Sequence, residues 1–353
     1  MSRSSVRRDG VHGERPGRQA PGGQGTATTA PLARGRRRGR GGEELMVPGA
    51  EFTSYYGRPI IKRPTWRARD IAGYFFLGGL AGAGSVVAAG AGATGRPVMA
   101  RALKVSSLAA VTGSAAALVH DLGRPARFAH MLRVLRPTSP MSVGSWLLSA
   151  YGPAAGAAAV LDLTGRLPRL GRAATGSAAL LGSAVAAYTA VLAADTAVPA
   201  WHDGYRELPF VFTGSATLAA SGMALLASPV GENAPAVAGA LLGTAVETAA
   251  VVTMERRLGM IAEPYRHGRG GRLMRAATAL SAAGAAGAVL RARRSRSAAA
   301  LSGALLLAAS ACTRFGVFHA GVASADDPKY TVLPQRERLR RRAEEAAAAS
   351  TAE

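Results

Sequence analysis

Two titratable residues, His120 and Asp121, stand at the end of an apolar run that covers about residues 103–119. An imidazole ionises near neutral pH, and a neighbouring carboxylate stabilises its cationic form. The pair is therefore suited to proton exchange at the end of a helix. A basic loop with Arg124 and Arg127 follows at once, and such a loop can face an anionic partner or lipid head groups. The alternative is a solvated loop whose arginines only terminate the span.

Glu247 is the plainest ionisable residue inside an apolar run, since its surroundings read GTAVETAAVV. A lone carboxyl group in such a place is costly unless it is protonated or hydrogen-bonded to a neighbouring helix. Glu247 is therefore a candidate for a proton path or for a ligand site, and a purely structural hydrogen bond is the alternative.

Tyr188 and Asp195 are seven residues apart, which is two helical turns, so they share one helix face. This spacing places a phenol inside an apolar span, in line with a carboxylate at its edge. A hydroxyl donor and a nearby proton acceptor suit a polar head group that gives up protons. The alternative is an aromatic residue at the membrane interface and an aspartate that caps a helix.

The elements that must position these residues are about eight apolar spans, each about 20 residues long and thus able to cross roughly 30 Å of hydrocarbon. We predict an all-α polytopic membrane protein. Small residues, glycine above all, are frequent in the first span and allow close helix approach. The predicted spans cover about residues 71–93, 102–121, 142–163, 173–194, 208–228, 235–254, 273–290 and 298–318.

The 353 residues carry a formal net charge of +22, and 48% of them are hydrophobic. The charged residues cluster between long uncharged runs, as they do in membrane proteins. They form no recognisable nucleic-acid-binding motif, so we expect no nucleic acid partner. The single cysteine excludes an iron–sulfur cluster or a disulfide built within this chain. None of the six histidines lies deep in a predicted span, so we expect neither haem nor another bound metal.

Residues 1–45 are rich in Gly, Arg, Ser and Pro, and we predict a disordered basic tail there. Met46 reads as a natural start. Residues 46–325 form the predicted transmembrane domain, and residues 326–353 form a charged C-terminal tail. Arginines are more frequent on the side that would hold both termini. The positive-inside rule therefore predicts cytoplasmic termini, with the protein in the cytoplasmic (inner) membrane.

Two short runs carry a resemblance to a known family. Residues 121–128 read DLGRPARF, and residues 137–146 read PTSPMSVGSW. Together they resemble the signature of the polysulfide reductase NrfD family, the membrane subunits of molybdopterin and iron–sulfur oxidoreductases. The resemblance extends over about residues 52–335.

The resemblance implies a subunit that passes electrons between a menaquinone-type quinone and an iron–sulfur subunit, which in turn serves a molybdopterin catalytic subunit. It implies that Tyr188 lines the quinone pocket and that His120 and Asp121, as the proton-transferring pair, lie near it. Asp195 and Glu247 are further candidates for quinone binding. The residues expected to dock the partner lie in the loops of the same side and are Arg124, Arg127, His202, Asp203, Arg266 and His267.

Two alternatives to an electron-transferring subunit stay open. One is a multi-span transporter, although the sequence shows no convincing internal repeat with matching interrupted helices. The other is a passive membrane anchor that holds the partner without a quinone site.

Overall fold

The computed structural model describes residues 5–7, 10–12, 60–124 and 126–350. Strands β1 (Ser5–Arg7) and β2 (Gly10–His12) pair antiparallel, with Val6 opposite Val11. The rest of the predicted disordered tail, and the predicted start at Met46, lie outside the described residues. Every regular element described between residues 60 and 350 is helical, which confirms the predicted all-α fold.

Eight long apolar helices make up most of the described part of the chain. They are α1 (Ala68–Ala93), α2 (Pro97–Asp121), α4 (Pro140–Thr164), α5 (Pro168–Ala194), α7 (Leu208–Ala227), α8 (Ala234–Leu258), α10 (Gly268–Arg291) and α11 (Arg296–Asp326). The remaining helices are α3 (Ala126–Met131), α6 (Pro199–His202), α9 (Glu263–Arg266) and the charged α12 (Lys329–Ser350). Short 3₁₀ turns at Val230–Glu232 and Gly259–Ala262 precede α8 and α9.

Seven of the described helices are long and apolar enough to cross a membrane, and α4 is not among them. Trp146, Tyr151 and Pro153 lower the mean hydropathy of α4. It nevertheless packs along α5 and α2 as the next antiparallel helix, so the eight predicted spans correspond to eight helices. The largest difference is at the last span, predicted to end near residue 318, because α11 continues to Asp326.

Proline and glycine set several helix ends. Proline occupies one of the first two positions of five long helices, where its missing N–H costs no hydrogen bond and its fixed φ suits a helix start. Gly165 follows the last residue of α4 with a φ of 67°, a left-handed conformation that ends the helix. The turn to α5 needs only three residues, 165–167.

The long helices form two four-helix units with the same packing pattern. The first unit contains α1, α2, α4 and α5, and the second contains α7, α8, α10 and α11. In each unit the first two helices pair, the last two pair, and the first helix packs against the fourth. The spans are alike in composition, so the sequence alone does not reveal this repeat. All eight helices are continuous from the first to the last residue given above, unlike the interrupted helices of many transporters.

Bare glycine backbones meet where the first and fourth helices of each unit cross. A Cβ atom added at Gly82 in α1 would lie 2.3 Å from the carbonyl oxygen of Gly182 in α5. In the second unit, a Cβ atom added at Gly222 in α7 would lie 2.6 Å from the carbonyl oxygen of Gly303 in α11. These crossings leave no space for a side chain, and the close approach maximises contact between the helices.

The antiparallel course places both described ends of the helical body on one side of the bundle. We call it the terminal side, and it holds residues 60–67, 122–124, 126–139, 195–207, 259–267 and 327–350. The opposite side holds residues 94–96, 165–167, 228–233 and 292–295. All the residues predicted to dock a partner therefore lie on the terminal side.

Candidate functional site

His120 lies at the terminal-side end of α2, with 64% of its side chain exposed. Its Nδ1 atom is 3.0 Å from Oδ2 of Asp70, a carboxylate in the first turn of α1 whose side chain is only 10% exposed. The antiparallel pairing of α1 and α2 produces this contact, because it brings the start of one helix to the end of the other. The two residues form an aspartate–histidine pair at the rim of the bundle.

Asp121 does not pair with His120 in the structure. Its Oδ1 accepts a hydrogen bond of 3.2 Å from the backbone N–H of Arg67, the residue that precedes α1. A carboxylate at this position satisfies a free N–H group at the helix start and interacts favourably with the helix dipole. Asp121 thus ties the end of α2 to the start of α1, while Asp70 occupies the position beside His120 that the sequence suggested for Asp121.

Tyr188 is buried between α5 and the start of α4. Its hydroxyl donates a short hydrogen bond to the backbone carbonyl of Pro140, which links the beginning of the PMSVGSW segment to α5. Gly144, one turn further along α4, lies against the Tyr188 ring. A Cβ atom at Gly144 would be 2.0 Å from Cζ of that ring. The second family-like run therefore folds around Tyr188.

Gly144→Ala should lower the free energy of unfolding by about 1–3 kcal/mol, because the added methyl group displaces the Tyr188 ring. Gly152→Ala in the same helix is the matched control, since its Cβ would meet nothing within 4 Å. The control should gain up to about 1 kcal/mol from higher helix propensity. Thermal unfolding in detergent measures both changes. Equal stabilities for the two variants would contradict the described packing.

Asp195 is exposed and ends α5. Its backbone N–H donates to the carbonyl of Val191, and its side chain makes no hydrogen bond with the described residues. The carboxylate thus lies beyond Tyr188 on the terminal side. Tyr188 and His120 make no contact with each other in the described part of the chain. Tyr188, Asp195 and His120 therefore lie towards the same end of the bundle but do not form one connected group.

Glu247 lies well inside the second unit, with a relative exposure of 5%. Its Oε1 atom accepts a hydrogen bond of 2.6 Å from the hydroxyl of Thr313 in α11. Gly214 in α7 allows α8 to approach closely there, because a Cβ on Gly214 would be 2.7 Å from the backbone nitrogen of Glu247. The predicted hydrogen bond to a neighbouring helix is therefore present, and Glu247 is separate from the His120 region.

Arg314, which follows Thr313, is an ionisable residue that the sequence reading passed over. It has a relative exposure of 0%. Its Nη2 donates to the carbonyl of Phe212 at 2.6 Å, and its guanidinium lies 3.9 Å from the centroid of the Phe212 ring. A single arginine inside a predicted span, residues 298–318, was the signal that could have identified it.

The predicted docking residues of the first two terminal-side loops are largely accessible. The side chain of Arg124 is exposed and makes no hydrogen bond with the described residues, while Arg127 donates from Nη1 to the carbonyl of Leu122 at 3.2 Å. His202 is exposed at the end of α6, with Nδ1 3.2 Å from the carbonyl oxygen of Ala194. This part of the surface therefore exposes guanidinium and imidazole groups.

Two of the other docking candidates are engaged within the chain. Asp203 forms an ion pair of 3.6 Å with Arg338 in α12. Arg266 forms one of 2.8 Å with Glu255. His267 is exposed between α9 and α10. The ion pairs fasten α12 and α9 to the bundle, so Asp203 and Arg266 shape the surface more than they offer free charge.

Trp201 holds the terminal-side loops together. It is fully buried, its Nε1–H donates to the carbonyl of Val317 at 2.8 Å, and its ring stacks on that of Trp66 with the centroids 5.6 Å apart. Gly321 in α11 presents bare backbone to it, since a Cβ there would be 1.9 Å from Cε2 of Trp201. The sequence reading singled out the neighbouring His202 but not this residue.

No group of three or more His, Cys, Asp or Glu side chains that could hold a metal ion occurs among the described residues.

Long apolar helices in an antiparallel course define a multi-pass membrane protein. The sequence profile of the family described as polysulphide reductase, NrfD, matches residues 65–233. This match confirms the resemblance seen in the sequence. The match runs from before α1 to the turn before α8 and contains both family-like runs. No curated protein matches the chain.

Proposed function

We propose that the protein is the membrane subunit that exchanges electrons between a menaquinone-type quinone pool and an iron–sulfur subunit of a molybdopterin oxidoreductase. The NrfD match over residues 65–233 supports this assignment. The structural observation that carries it is the His120–Asp70 pair on the terminal side. The family-like loop that faces a partner begins directly after this pair.

Oxidation of a quinol releases two protons along with its electrons, so a quinol site needs a base with a path to water. Asp70 holds Nδ1 of His120, which orients the ring. The Nε2 atom of His120 makes no hydrogen bond with the described residues, and the side chain is mostly exposed. His120 can therefore accept a proton from a quinol hydroxyl at Nε2 and pass it to the aqueous phase.

The residues present fit a quinol at His120 better than at Tyr188. The Tyr188 hydroxyl already donates to Pro140, and Gly144 covers one side of its ring. Tyr188 therefore positions the PMSVGSW segment beside the site, and it can donate to a head group only after leaving Pro140. Asp195, exposed at the end of the same helix, is placed to receive released protons. When bound, a quinone supplies the two-electron chemistry that these side chains lack.

The basic terminal-side loop suits an iron–sulfur partner with an acidic docking face. Arg124 and Arg127 are exposed there, on the same side as His120. A partner docked on this side would place its nearest cluster close to a quinone at the rim. We further propose that this side is cytoplasmic, because the arginine distribution favours it.

The test is quinol-dependent reduction of the partner's clusters by the intact complex in vesicles. His120→Ala should slow this reduction by roughly a hundredfold, the usual contribution of a general base. Asp70→Asn should slow it more than Asp121→Asn, because only Asp70 contacts the imidazole. The partner should stay bound in every variant, which co-purification would show.

His130→Ala is the matched control, since His130 is an exposed histidine in the same loop region. It should reduce the clusters at the unaltered rate. An unaltered rate for His120→Ala would place the base elsewhere. A passive anchor without a quinone site would show no quinol-dependent reduction in the unsubstituted protein either.

A further inference from the structure

A groove of about 180 Å³ lies between α8 and α10, with part of α11 as its floor. Its walls are mostly apolar, but six of its lining residues carry a carboxyl or a hydroxyl group. They are Glu247, Thr248, Glu255, Thr278, Ser281 and Thr313. Liquid water occupies about 30 Å³ per molecule, so a groove of this size has room for several water molecules beside its polar groups.

The groove leads from the terminal side into the bundle. Glu255 lies near the terminal-side end of α8, where it pairs with Arg266. Glu247 lies on the same helix, about two turns deeper. Hydroxyl groups of Thr278 and Ser281 line the path between them. Hydroxyls and water can relay protons along such a path, whereas the apolar walls exclude larger ions.

The deep end of the groove is charged and incompletely satisfied. Arg314 is fully buried, and its Nε and Nη1 atoms have no hydrogen-bond partner. Its guanidinium forms no ion pair with any carboxylate of the described residues. An arginine stays protonated in proteins, so this positive charge is permanent. A buried charge without compensation is strongly unfavourable.

Glu247 accepts a hydrogen bond from Thr313, the residue directly before Arg314, so its carboxyl group is the one that can compensate this charge. In its ionised form it compensates the arginine, and in its protonated form it avoids the desolvation of a second charge. The groups that face Glu247 from the other helices are Arg314 and the hydroxyls of Thr313, Ser215 and Ser281. Because ionisation compensates Arg314 but costs desolvation, the buried carboxyl group of Glu247 can be either protonated or ionised.

We propose that Glu247 is a proton-exchange site that communicates with the terminal side through this groove, with Arg314 as the fixed counter-charge. The step breaks the carboxylic O–H bond, passes the proton to a water in the groove and leaves a carboxylate beside Arg314. No electrons move in this step. The site is built in the second four-helix unit. It uses none of the residues to which the proposed function assigns quinol oxidation, and it gives Glu247 a role other than the quinone binding for which the sequence made it a candidate.

Carbodiimide labelling tests the exchange directly. Dicyclohexylcarbodiimide enters membranes and forms a stable adduct with protonated carboxyl groups, which mass spectrometry of the digested full-length protein locates. Glu247 should be labelled in vesicles, and the labelling should fall as the pH of the medium is raised. The adduct should be lost in Glu247→Gln. Labelling that is absent at Glu247, or that does not change with pH, would overturn the proposal.

Cysteine labelling tests the path without altering Glu247. In a Cys312→Ser background, which removes the only native cysteine, Thr278→Cys places a thiol in the groove. Ala279→Cys is the matched control, because Ala279 is exposed on the same helix but does not line the groove. An impermeant maleimide should label Thr278→Cys from one face of sealed vesicles and leave Ala279→Cys unlabelled. If the two variants are labelled equally, or if Thr278→Cys is not labelled, the groove is not an aqueous path and the proposal is overturned.

Neither measurement involves quinol or a partner subunit. A failure of the groove proposal therefore leaves the quinol proposal intact. If Glu247 is labelled as expected but His120→Ala reduces the clusters at the unaltered rate, the quinol proposal is overturned and the groove proposal stands.

Discussion

Trp201→Ala should lower the free energy of unfolding by about 3–5 kcal/mol, the usual cost of removing a large buried aromatic side chain. The substitution opens a cavity and leaves the carbonyl of Val317 without its donor. It also removes the ring on which Trp66 stacks. Because α6 is held to α11 through Trp201, the terminal-side loops should separate early in unfolding. Chemical unfolding of the protein in mixed micelles, followed by tryptophan fluorescence, measures the loss.

Trp146→Ala is the matched control, since Trp146 is 41% exposed on α4. It should show a clearly smaller loss, because most of its surface faces the surroundings and no comparable cavity forms. Hydrogen exchange should rise in residues 195–207 for Trp201→Ala and not for Trp146→Ala. Equal losses for the two variants would show that Trp201 is not the anchor of these loops.

Gly82→Leu should destabilise the protein by at least about 3 kcal/mol, the upper end of the usual cost of overpacking. The new side chain would meet backbone, since even its Cβ would lie 2.3 Å from the carbonyl oxygen of Gly182. Backbone cannot rotate away as a side chain can, so α1 and α5 must move apart. Thermal unfolding in detergent and the yield of folded protein both report the effect.

Gly90→Leu provides the comparison, because Gly90 is exposed on the same helix and a Cβ there would meet nothing within 4 Å. It should insert and unfold much as the unsubstituted protein does. A Gly82→Leu protein as stable as Gly90→Leu would mean that the two helices cross elsewhere.

The sequence predicts the helices well because the signal for a membrane span is local. A run of about 20 apolar residues must cross the bilayer as a helix, since no water is available to satisfy its backbone. The error at α11 has a structural cause. Its last turns contain the small residues GVASA and pack against α6, where Ser324 accepts from the backbone N–H of Ala200. Tertiary packing, not hydropathy, extends that helix.

The sequence predicts most of the residues of the candidate site but not which of them are in contact. His120 was expected beside its sequence neighbour Asp121, yet its partner is Asp70, fifty residues earlier in the chain. Only the antiparallel contact of α1 with α2 reveals this. Arg314 was passed over because the apolar average of its span conceals a single charge. The donor role predicted for Tyr188 could not take account of the Pro140 carbonyl, which comes from another helix.

The repeated four-helix pattern has a consequence for how the protein inserts and how it could have arisen. A segment with four crossings returns the chain to the side from which it began. A second copy joined to its end therefore enters the membrane in the same orientation as the first. Tandem duplication of such a segment needs no reversal of topology, and the charges that orient the first unit also orient the second. The glycine crossings at the same place in both units would then be the inherited contact that each copy has kept.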